Sequence, residues 1–102
     1  MELNELLNLR TEIEALLAKE LSSYSRRVSV NYVDSPNPVC FFEVEGACFA
    51  QGSFWANNEY RIEAMKVFEP IEIINEAGLV TSIQEALSLV ETFCRNALAA
   101  AH

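Results

Sequence analysis

Histidine is nearly absent from this chain: His102, the last of 102 residues, is the single example. Chain ends fray, so a histidine-dependent catalytic triad or dyad is excluded. Glycine is almost as scarce, and Gly46, Gly52 and Gly78 form neither a G-x-G-x-x-G pattern nor a phosphate-cradling loop. Cysteine is odd in number. Cys40, Cys48 and Cys94 lie in apolar surroundings without C-x-x-C spacing, so they read as reduced, buried thiols rather than zinc ligands or a redox pair. No apolar run approaches the ~18 residues of a membrane span, and the acidic opening Met1-Glu2-Leu3-Asn4-Glu5 lacks the basic region of a secretory signal. The expectation is a cytoplasmic protein with no metal and no cofactor. Carboxylate chemistry would need Glu43 to converge with Glu63, or Glu45 with Glu59. No pocket-forming loop accompanies them, so a non-enzyme is expected.

Basic residues are also few: seven against fifteen acids, for a net charge of −8. Nucleic acid and anionic membrane surfaces would repel such a chain, which leaves a basic protein as the natural partner. Solubility explains the same charge equally well. The excess is uneven, with six acids and four bases in residues 1–35 against nine and three in residues 36–102.

Hydrophobic residues make up 51% of the chain, and neither end is biased towards charge runs or Pro, Gly and Ser. A single domain over residues 1–102 is therefore expected. Leu3, Leu6, Leu7, Ile13, Leu16, Leu17 and Leu21 recur at three- and four-residue steps and predict a helix over residues 3–22. The period then falls to two. Strands are predicted at 28–33, 39–45, 47–55 and 59–68, separated by the two prolines of 34–38, by Gly46 with its permissive backbone, and by Ala56-Asn57-Asn58. Residues 71–74 suit a short fifth strand, with 75–78 as a turn. Ser82 and Glu85 form a capping box for a last helix, Thr81 with Gln84 being the rival, and Ile83, Ala86, Leu87, Val90, Phe93, Cys94, Ala97 and Leu98 give it a core stripe. The fold class is α+β: two layers, with a four- to five-stranded antiparallel meander sheet packed on one face by an N-terminal and a C-terminal helix.

Such a sheet leaves its second face open. Alternation separates Phe49, Gln51, Ser53 and Trp55 from Cys48, Ala50, Gly52 and Phe54, and Arg61, Glu63 and Met65 from Tyr60, Ile62 and Ala64. The small and apolar sets suit the helices, so the mixed sets should face outward. Trp55, the one tryptophan, either anchors a partner or caps an end of the core. Glu43, Glu45, Glu59 and Glu63 either form an acidic patch for a basic partner or are scattered solubilising charge.

The stretch Gly52-Ser53-Phe54-Trp55-Ala56-Asn57-Asn58-Glu59-Tyr60-Arg61-Ile62-Glu63, with a hairpin before it and a Ser82-led helix after it, resembles small bacterial immunity proteins of contact-dependent and type VI polymorphic toxin systems. Within that group it is most similar to the TriTu-like immunity proteins, encoded beside ADP-ribosyltransferase toxins that modify elongation factor Tu. The likeness spans most of the chain in layout and these dozen residues in detail. The family's turn after the tryptophan more often contains glycine where this chain has Asn57-Asn58. The resemblance implies a cytoplasmic, non-enzymatic binder of a cognate toxin domain, monomeric or weakly dimeric when free. Glu43, Glu45, Glu59 and Glu63 would steer, Trp55 and Tyr60 would anchor, and Asn57 and Asn58 would join the contact. The competing readings are a small acidic type III secretion chaperone, dimeric and holding an effector segment, and a regulatory subunit of a larger assembly.

Overall fold

The computed structural model describes residues 1–20, 27–46, 48–66 and 72–101, with side chains for all of these except 48, 66, 72, 73 and 97–101. The element order is α1 (Leu3–Glu20), β1 (Arg27–Val33), β2 (Val39–Glu45), β3 (Cys48–Trp55), β4 (Glu59–Lys66), β5 (Glu72–Leu79) and α2 (Ile83–Ala101). The strands form one antiparallel sheet in chain order, β1 to β5, as a meander. Both helices cover the same face: α1 lies over β1 and β2, α2 over β3 to β5, and the two helices touch. The α+β two-layer class is therefore the observed one, with five strands. The predicted ends at residues 21–22, 47 and 67–68, the break at 69–70, and the burial of Leu21, Cys48, Ala97 and Leu98 lie outside the described residues.

Register ties the core to the alternation. Reading across β1 to β5, the helix-side rows are Val28-Val44-Ala50-Ala64-Ile74, Val30-Phe42-Gly52-Ile62-Glu76 and Tyr32-Cys40-Phe54-Tyr60-Gly78. Phe42, Phe54, Ile62 and Cys40 in these rows are fully buried, and α1 meets them with Leu6, Leu9, Ile13 and Leu17. Leu9 is missing from the expected stripe, whereas Leu3 and Leu7, which belong to it, are 55% and 40% exposed. The stripe turns because α1 must meet both the sheet and α2, so its buried positions step by three and then by four. From α2 the core receives Ala86, Val90, Phe93 and Cys94, with Phe93 tilted against Phe42 at 5.7 Å between ring centroids.

Both helices begin on named caps. The backbone N–H of Glu85 donates to Ser82 Oγ at 3.2 Å, while the Glu85 carboxylate accepts from the Thr81 hydroxyl and N–H at 2.7 and 3.3 Å. Ser82 is thus the cap, and Glu85 reaches one residue further back than a closed capping box requires. At α1 the Glu5 carboxylate accepts from the Glu2 N–H at 3.0 Å. Among the described residues no helix is long and apolar enough to cross a membrane.

One turn expectation is corrected. Residues 75–78 are strand, not turn: all four pair with β4. Gly78 serves instead as a flat spot under Tyr60, where an added Cβ would come within 3.0 Å of the ring. Between β2 and β3 the expected hairpin forms, and Gly46 has no positive φ. That conformation falls to Asn58, at φ 73° in the β3–β4 turn, where asparagine tolerates it.

Candidate binding face

The face away from the helices is built by the odd positions of β1 to β4. Its rows run Arg27-Glu45-Phe49-Met65, Ser29-Glu43-Gln51-Glu63-Asn75, Asn31-Phe41-Ser53-Arg61-Ala77, and finally Val33-Val39-Trp55 beside Glu59-Leu79. Rows lie about 7 Å apart and strands about 4.8 Å apart. Phe41, Phe49, Val39 and Trp55 are partly buried by their neighbours, and Val33, Met65 and Leu79 are exposed. This is an apolar surface threaded with carboxylates.

Those carboxylates differ in their engagement. Glu45 faces Arg27 across the β1–β2 ladder at 3.8 Å, with both side chains largely in solvent, a pairing worth ~0–1 kcal/mol at most. Glu63 is more engaged, ion-paired with Arg61 at 3.0 Å from Nε and accepting from Gln51 Nε2 at 3.5 Å. Glu43 and Glu59 have no ion pair among the described residues. Glu43 and Glu63 flank Gln51 two strands apart, and Glu45 and Glu59 stand at opposite ends of the sheet, so neither pair converges. Among the described residues no three metal-ligating side chains cluster.

Trp55 ends β3 on the open face, its ring in the row with Val33 and Val39, so it is not a lid on the helix-side core. Tyr60 lies on the other face. Strand alternation between Glu59 and Arg61 turns it towards the helices, where it stacks on Phe54 at 6.2 Å between centroids. Burial, and after it the charges of Glu76 and Glu85, raise its pKa. Tyr60 therefore packs within the fold and does not stand beside Trp55. Asn57 and Asn58 are exposed but internally committed: Asn57 Oδ1 accepts the Glu59 N–H at 3.1 Å, and Asn58 Oδ1 accepts from the Met1 ammonium at 2.6 Å. The same ammonium donates to the Ala56 carbonyl, and the Asn58 carbonyl takes the Val80 N–H at 2.8 Å. The turn thereby ties both helix entrances to the sheet.

Phe41 and Val39 are the face residues that the alternation of β3 and β4 did not supply. Their signal was present in β2, where Val39 to Val44 is apolar at all but one position, as in a strand with apolar groups on both sides. Hollows lie on both faces. One, of about 90 Å³, opens among Phe49, Gln51, Glu63, Ala64, Met65 and Ile74. A broader groove of about 530 Å³ runs between the helices, past Glu12, Leu16, Lys19, Leu87 and Glu91. No protein-family model matches the chain, and no curated protein matches it either.

Proposed function

We propose that this chain is an immunity protein that captures a cognate antibacterial toxin domain on the open face of its sheet. The observation that carries the reading is that face itself, where exposed Met65 and half-buried Phe41, Phe49 and Trp55 lie among Glu43, Glu59 and Glu63. Aromatic and methionine side chains supply interface area, and a surplus of carboxylates draws in a basic protein and fixes its orientation. Glu43 and Glu59 steer, because neither has an ion pair among the described residues. Trp55, Phe41 and Phe49 anchor. The resemblance to TriTu-like proteins makes an ADP-ribosyltransferase the toxin class, acting in the bacterial cytoplasm and blocked by a cover over its active site. The chain contributes no chemistry of its own.

Co-expression with the toxic domain encoded immediately upstream tests this directly. Growth is rescued and a one-to-one complex co-purifies; Trp55→Ala abolishes both while the free protein keeps its thermal transition. Failure of the wild-type chain to bind or rescue overturns the reading, and a stable homodimer by native mass measurement would then favour the secretion chaperone.

A further inference from the structure

The register of β4 and β5 breaks between Ala64 and Met65: Ala64 faces Ile74, whereas Met65 faces Glu72, so β5 carries one extra residue. A bulge bends its strand and spreads the neighbouring side chains. Here it opens the hollow of about 90 Å³. Cofactor and drug-sized sites run about 300–1,000 Å³, so this space suits a single side chain. Phe49, Met65, Ala64 and Ile74 make its lining apolar, and the paired residues Gln51 and Glu63 make one side polar.

The polar side is open to solvent. Arg61 and Gln51 both approach Oε1 of Glu63, whose side chain is 38% exposed. Two strands away in the same row Glu43 adds a second negative charge, while Arg61 stands beside Glu63 as its paired cation. An apolar side chain entering here would strip water from Glu63 without replacing it, and an acidic one would be repelled. A long aliphatic stem with a charged donor at its tip satisfies both halves.

We propose that this hollow is a socket for one lysine or arginine side chain of the bound protein. It deepens the immunity reading and rests on it for the identity of that protein, but its chemistry is testable without a toxin. The probes are the capped tripeptides acetyl-Gly-Lys-Gly-amide and acetyl-Gly-Arg-Gly-amide, with the norleucine analogue as a stem of equal length lacking charge. Titration into the free protein, read at the Met65 methyl and the Phe49 amide by NMR, gives a saturable shift with at least one cationic peptide, at a dissociation constant on the order of millimolar. The norleucine peptide gives none, Glu63→Gln abolishes the shift, and Glu14→Gln, exposed on α1, leaves it in place. Equal shifts with norleucine, persistence in Glu63→Gln, or no shift at either probe overturns the socket. A toxin that binds the chain while the peptides do not removes the socket and keeps the immunity reading; peptides that bind where the toxin does not do the reverse.

Discussion

Gly52 is the position where the core depends on a missing atom. A Cβ there would lie 2.3 and 2.5 Å from Cε1 and Cζ of Phe42, a ring already fully buried and packed on Phe93. Gly52→Ala must push that ring into an occupied core, at a cost of about 1–3 kcal/mol. Urea unfolding gives the loss, and the double variant Gly52→Ala with Phe42→Leu recovers part of it, because the two sites share one space. Strictly additive losses would mean that Phe42 is not the obstacle. Cys40 gives a second prediction at this scale. Burial pushes its thiol from an ordinary 9.0 up to about 11, against the opposing pull of Arg10. The folded chain thus keeps a proton that the unfolded chain releases first. The associated stability is intact below pH 9 and is lost as pH rises through 11, up to about 2–3 kcal/mol for two units. Wild type should accordingly lose its advantage over Cys40→Ala between pH 8 and pH 11, and a constant gap across that range would contradict the assignment.

At the scale of elements, the entrance to α2 hangs on Ser82, whose hydroxyl accepts the Glu85 N–H. Ser82→Ala leaves that donor without its cap and costs about 1 kcal/mol, a fall in melting temperature of roughly 4–8 °C for a domain of this size, whereas Ser82→Asp restores most of it. This cap was legible in the sequence because it is local chemistry, a hydroxyl three residues from a carboxylate. The alternation of β3 and β4 was legible for a related reason, since their two faces meet such different surroundings. The second half of the fifth strand was not. Asn75, Glu76, Ala77 and Gly78 have poor strand propensity, and pairing along β4 holds them extended at an edge where solvent accepts the polar groups. Leu3 and Leu7 misled in the opposite way: their spacing fits a buried stripe, but the direction from which α2 and the sheet meet α1 leaves them exposed and buries Leu9, which that stripe lacks. On the open face, alternation marked Phe49, Trp55, Glu63 and Met65, whereas Tyr60 was taken for a contact residue against its own parity. The bulge that shapes the hollow left no local mark, because it arises from register between two strands.

For the molecule as a whole, an open sheet has two edges, and these differ in their protection. On β5 the edge carries a bulge and Glu76, both devices that discourage a second chain from pairing. On β1 there is one charge, Arg27, at its start, with no lysine, proline or bulge after it, and Val28 and Val33 are exposed. Against self-association stands a net charge of −8, which repels like copies over roughly a Debye length, ~10 Å at 0.1 M salt. Screening that repulsion should let the β1 edges meet. Sedimentation velocity is expected to show a monomer at low salt and a growing dimer population at high salt. Asn31→Lys, a charge on the bare edge, should suppress the dimer, whereas Ala77→Lys on β5 should not. Equal suppression by both substitutions, or by neither, would place the contact elsewhere on the surface.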